Sequence, residues 1–118
     1  MYYAGLRTDG AATIKKKYKG SYTTLAYKPI FALDVPYDAD TNPNLIPGNR
    51  WIGLRSTVKN LPGGSVAITL WADITGTGAW TEVASAVDSG TVIAEKGYAG
   101  IRTDFMDVEF DDYRAKEL

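Results

Sequence analysis

The sequence predicts an antiparallel all-β sandwich, and three observations carry that prediction. Several short segments alternate apolar and polar residues with a period of two, clusters of Gly, Pro, Asn and Asp separate them, and no stretch shows a helical period. Many short strands between such turns bury their apolar faces most simply as two sheets packed on each other. At 118 residues, 45% hydrophobic and 23% charged, the chain suits one globular domain with a core of its own.

Residues 2–7 and 11–18 read as two strands joined at Asp9-Gly10, a dipeptide that accepts the positive φ angles of a two-residue type I′ turn. Lys19-Gly20 then turns the chain into residues 22–27, which completes a three-stranded meander. Pro29, Pro36, Pro43 and Pro47, with Asp and Asn between them, make the region from about residue 29 to 49 a long loop, because proline donates no ladder hydrogen bond. In residues 50–60 the apolar Ile52, Leu54 and Val58 share one face, as do Val66, Ile68 and Leu70 in residues 65–73. Leu61-Pro62-Gly63-Gly64 closes that hairpin. The parity of the two sets favours Val58 opposite Val66 and Leu54 opposite Leu70, which sets Trp71 across from Gly53 with Arg55 diagonal to it. Residues 75–78 form a turn, residues 80–87 a strand in which 84–87 would also suit a short helical turn, and Asp88-Ser89-Gly90 another turn. In residues 97–118, Met106, Val108 and Phe110 alternate with Asp107, Glu109 and Asp111, the pattern of a half-buried closing strand.

Composition removes whole chemistries. Without cysteine there is no disulfide framework, thiolate nucleophile or zinc-thiolate site, and without histidine there is no imidazole base, Ser-His-Asp triad or His-ligated metal. Any chemistry must use carboxylates, Lys, Tyr or Arg. With 13 basic and 14 acidic residues the net charge is -1, so neither nucleic acid nor an anionic membrane is expected as a partner. No segment approaches the roughly 20 apolar residues of a membrane helix, and none has the basic-then-apolar form of a signal peptide.

Tyr2-Tyr3-Ala4-Gly5-Leu6-Arg7, Ile14-Lys15-Lys16-Lys17, Arg50-Trp51-Ile52-Gly53-Leu54-Arg55, residues 66–73 and the final Gly97-Tyr98-Ala99-Gly100-Ile101-Arg102 with Asp107-Val108-Glu109-Phe110-Asp111-Asp112-Tyr113 together resemble concanavalin A-like, laminin G-like jelly-roll domains over nearly the whole chain. The resemblance implies a jelly-roll sandwich in an extracellular setting that lacks the family's early strands. Exposed edges or apolar surface are then expected to need a partner, most simply a second copy in a homo-oligomer.

Four groups of residues are candidates for function. On the solvent faces of the sheets, Trp71, Arg55, Tyr2, Lys15 and Lys17 offer aromatic rings for the C–H face of a pyranose and cations for hydroxyls or carboxylates. That combination points to a polysaccharide or oligosaccharide ligand, and the resemblance implies the same. A plain solvated face with Trp71 covering Gly53 is the alternative. Lys15 and Lys17 also raise uronates or nucleic acid, although only these two of the three consecutive lysines share a face. Asp38, Asp40, Asn42 and Asn44 place oxygen ligands at alternate positions, as calcium requires, but Pro43 and Asn49 break the EF-hand pattern, and the same residues make ordinary turns. Asp107, Glu109 and Asp111 resemble the carboxylate strand of family 16 glycoside hydrolases, with Asp where that family's outer glutamates stand; Glu109 and Asp111 are the alternative catalytic pair, for a glycosidase that would compete with a Tyr-dependent lyase. Trp51 and Trp80 are expected at the rim of the sandwich, and Tyr98 and Tyr113 partly in the core.

The expectation from the sequence is a non-catalytic carbohydrate-binding or adhesion-type module. A polysaccharide-degrading enzyme and a ligand-free assembly scaffold are its alternatives.

Overall fold

The computed structural model describes residues 1–95, 97–103 and 108–117 and is all-β among them. Six strands run in order: β1 Tyr2–Leu6, β2 Ala11–Tyr18, β3 Ser21–Pro29, β4 Gly53–Asn60, β5 Val66–Asp73 and β6 Thr81–Asp88. They form two antiparallel three-stranded sheets, β1-β2-β3 and β4-β5-β6, each a simple meander. Residues 84–87 are strand and not a helical turn.

The first hairpin differs from its expected form. Arg7 N–H bonds Ala11 O at 2.9 Å and Gly10 N–H bonds Arg7 O at 3.0 Å, so the loop has three residues, with positive φ at Gly10 and not at Asp9. The physical reason is that Gly10 must also let the chain pass close by. Its carbonyl accepts from Ile30 and Phe31 N–H, and a Cβ there would lie 2.7 Å from Phe31 O. The two-residue turn with two positive φ angles falls instead at Lys19 (48°) and Gly20 (80°), where Tyr18 pairs with Ser21.

The β4–β5 hairpin keeps the expected parity but slips by two residues. Val58 faces Ile68, Asn60 faces Val66, and Arg55 directly faces Trp71. The cause is the turn, where Leu61 N–H bonds Ser65 O at 2.8 Å and so moves the centre of the hairpin to Gly63.

The core lies between the sheets. Ala12 and Ile14 of β2 meet Val66, Ile68, Leu70 and Ala72 of β5 and Val83 and Ala84 of β6. The first sheet packs over β5 and β6, and β4 lies largely beyond that overlap. Leu54 and Val58, on the core-facing side of β4, therefore remain 47% and 48% exposed.

Two β-bulges interrupt the alternation, one per sheet. In β3, Ala26 pairs with Ile14 and Thr24 with Lys15, so Leu25 is the extra residue. In β6, Ala84 pairs with Leu70 and Glu82 with Trp71, so Val83 is extra. Each bulge turns two successive apolar residues toward the core and reverses the facing of everything on its far side.

The expected closing strand is not found where it can be read. Met106 and Asp107 lie outside the described residues, while residues 108–117 contain no strand and leave Val108 41% and Phe110 55% exposed. Tyr98 and Tyr113, expected partly in the core, are exposed. Alternation alone does not bury a strand that has no ladder partner.

A buried polar cluster ties the sheets together. Lys16 of β2 donates to Asp88 Oδ2 of β6 at 2.9 Å and to Thr91 O at 2.8 Å. Tyr2 OH donates to the same Asp88 oxygen at 2.8 Å and accepts from Ile93 N–H at 3.0 Å. Burial pushes the Asp88 carboxyl up, but the hydrogen bonds from Lys16, Tyr2 and Gly90 N–H outweigh it and hold the group below the usual carboxylate range. A carboxylate with a depressed pKa in the folded state stabilises the fold above its unfolded pKa and loses that contribution as pH falls through the folded value. Removing one partner of a buried pair strands the other charge, so Asp88→Asn is expected to destabilise the protein by about 3 kcal/mol at neutral pH. It should also flatten the loss of stability below about pH 4, and denaturant titrations from neutral to acid pH check both outcomes.

Candidate functional site

The outward side of the second sheet gathers three side chains around one cation. Pairing sets Arg55 of β4 beside Trp71 of β5, and the guanidinium lies 5.1 Å from the Trp71 ring centroid and 5.0 Å from that of Trp80. One cation thus bridges two indoles, and a flat, weakly hydrated guanidinium suits that position better than an ammonium.

Trp80 was expected only as a rim residue, and two features bring it here. The β6 bulge reverses the facing of residues before Val83, which turns Glu82 outward opposite Trp71 and Trp80 outward beyond it. Gly53 then leaves room for the ring, since a Cβ on Gly53 would lie 2.7 Å from Trp80 Cη2 and 3.1 Å from Asp73 Cβ. The residue that covers Gly53 is therefore Trp80, not Trp71. The legible signal was Gly53 itself, a glycine inside a strand, which marks a close approach.

The loop that delivers Trp80 is fixed by Asp73. Its buried carboxylate accepts from Thr77 N–H at 3.2 Å and Gly78 N–H at 2.9 Å. Trp80 keeps 42% of its surface in solvent, so aromatic surface is available beside the clamped arginine.

The first sheet places its candidates on the opposite side of the molecule. Lys15 and Lys17 face outward, whereas Tyr2 faces the core and belongs to the Asp88 cluster. Parity explains the correction. Tyr2 pairs with buried Lys16, and Tyr3 is the tyrosine that pairs with Lys15. The expected single surface is thus two surfaces, back to back.

Three of the four loop candidates make side-chain hydrogen bonds to the loop's own backbone. Asp38 Oδ1 accepts from Asp40 N–H at 2.8 Å and Thr41 N–H at 2.9 Å, which holds its carboxyl below the usual range. Asn42 Nδ2 donates to Pro36 O, and Asn44 Oδ1 accepts from Ile46 N–H. Among the described residues no group of three or more acidic side chains is placed to hold a metal ion. Glu109 and Asp111 are exposed and outside any strand, and Asp107 lies outside the described residues. No helix among the described residues is long and apolar enough to cross a membrane.

No family model matches the chain, and no curated protein or solved structure matches it either. The site must therefore be read from its own geometry.

Gly53→Ala tests how that geometry is held. The added methyl meets the far end of the Trp80 side chain, which can move, and lies 3.1 Å from Asp73 Cβ, which must shift slightly, so the cost in stability is expected to be about 1 kcal/mol while Trp80 leaves Arg55. A changed near-ultraviolet tryptophan signal at a slightly lowered melting temperature is the expected result, and an unaltered signal would show that the ring is not seated on Gly53.

Proposed function

We propose that the protein is a non-catalytic carbohydrate-binding or adhesion-type module of the concanavalin A-like, laminin G-like jelly-roll class, with its saccharide platform on the outward side of the second sheet. The observation that supports this reading is the Trp71–Arg55–Trp80 stack. Exposed aromatic surface beside the arginine accepts the C–H face of a sugar ring, while Arg55 donates to hydroxyls and Glu82, opposite Trp71, accepts from them. The catalytic alternative has no comparable support, because Glu109 and Asp111 are exposed and outside any strand.

An array of neutral and acidic polysaccharides, probed with the purified protein, tests the proposal. Trp71→Ala and Arg55→Ala are each expected to weaken the retained glycan by about tenfold, the equivalent of one good aromatic contact, with no polymer shortening. The platform uses no residue of the Asp38 to Asn44 loop, so a chelator should leave binding unchanged. Retention of full affinity by both variants would remove the platform reading.

A second reading, that copies of the chain assemble, is favoured by the overhang of β4. Leu54 and Val58 are exposed on a strand whose outer edge has no ladder partner among the described residues. A dimer mass is expected at micromolar concentration, and Leu54→Lys with Val58→Lys should shift it to the monomer. Light scattering distinguishes the two, and a monomeric parent protein would end this reading.

A further inference from the structure

We infer that the outward side of the first sheet is a separate binding surface for an acidic polysaccharide, one whose sugar rings carry carboxylates. The inference concerns a different face from the Trp71–Arg55–Trp80 platform and stands or falls without it.

Sequence alternation places Tyr3, Lys15 and Lys17 on this face, and the β3 bulge adds a further aromatic. Ala26 faces the core beside Ile14, so without the extra Leu25 the even-numbered Tyr22 would face the core as well. The bulge reverses it, and Tyr22 pairs across from Lys17 in the solvent. The Tyr3 and Tyr22 rings then stack at 6.3 Å between centroids and 17° between planes. Lys17 Nζ lies 5.1 Å over the Tyr22 ring. Arg102 donates to Tyr3 OH at 2.9 Å, with its guanidinium 5.5 Å from that ring. Hydrogen bonding from Lys17, and then from Tyr3, holds the Tyr22 phenol below its ordinary range.

Charge selects the ligand. Neither Lys15 nor Lys17 forms a salt bridge with a carboxylate among the described residues, unlike Arg7 with Asp9 and Lys16 with Asp88. At the far end of the same face, Asp9 meets both Arg7 and Tyr27 OH, so that end is balanced. The lysines of this face without a described carboxylate partner, Lys15 and Lys17, therefore lie at the end that carries the tyrosine stack. Two lysines whose backbone positions lie about 7 Å apart along one strand, beside two stacked rings, offer point charges for carboxylates and flat surface for sugars. Uronate chains present both features. A phosphate backbone presents charge alone and makes no use of the rings except through bases, and the chain's net charge of -1 gives no long-range attraction for nucleic acid.

The test is a titration of the intact protein with an oligogalacturonate of about ten residues at low salt, beside its methyl-esterified form and a single-stranded DNA of matched charge. The oligogalacturonate should bind, the ester should bind at least about tenfold more weakly, and added salt should weaken the acidic ligand. Lys15→Gln with Lys17→Gln should cost about tenfold, and so should Tyr22→Ser, which removes the ring and leaves both lysines. Trp71→Ala should leave this binding unchanged, which separates it from the platform on the other face. Equal binding of ester and acid, tighter binding of the DNA, or indifference to the lysine and Tyr22 substitutions would each overturn the inference.

Discussion

The alternation of side chains across a strand is the constraint on which the rest of this structure depends. Every residue turned to the core sends its neighbours to water, so the apolar set Val66, Ile68, Leu70 and Ala72 on β5 also fixes Trp71 as a surface residue. Strict alternation, however, would direct Trp80, Glu82 and Tyr22 inward with Ala84 and Ala26. The two bulges, at Val83 and Leu25, release these residues and supply the core with an additional apolar side chain each. One irregularity per sheet therefore contributes both to packing and to the chemistry of each outer face.

The sheets need more than apolar contact to hold their relative position, because the shared core is small. Its largest fully buried side chains are Ile14, Ile68, Leu70 and Val66. Apolar burial is non-directional, and small residues such as Ala12, Ala72 and Ala84 leave few shapes that resist sliding. The Lys16–Asp88–Tyr2 cluster supplies direction. Its hydrogen bonds cross from the first sheet to the end of β6 and satisfy the buried charges. The same cluster takes Tyr2 out of the candidate ligand surface and leaves that role to Tyr3.

Five of the strands were legible within about three residues because their alternation and turn residues agreed, and β6 was legible despite its bulge because Thr81, Val83 and Val87 suit a strand on either face. Register was less legible. Parity restricts a hairpin to every second alignment, and the choice between them rests on whether Pro62-Gly63-Gly64 closes as a three-residue loop, which residue types alone leave open. Site membership was legible for Trp71 and Arg55, which follow from parity, and not for Trp80, whose facing depends on the bulge. The acidic strand around Glu109 shows the reverse failure, since its alternation is clear in sequence but no neighbouring ladder is seen to use it in residues 108–117.

The Trp71–Arg55–Trp80 group on the second sheet is held in place by the fold itself, beginning at Asp73. Its carboxylate fixes the turn at Thr77 and Gly78, and that turn sets where Trp80 enters β6. Gly53 then removes the Cβ that would hold the indole off the sheet, and Arg55 fills the remaining space between the two rings. Each contact limits rotamers that a free tryptophan would sample, so less side-chain entropy remains to be lost on binding. Lysine in place of Arg55 would keep the charge but lose the flat face that both rings contact. The charge at residue 55 matters less than its shape, and that shape keeps the two tryptophans one surface.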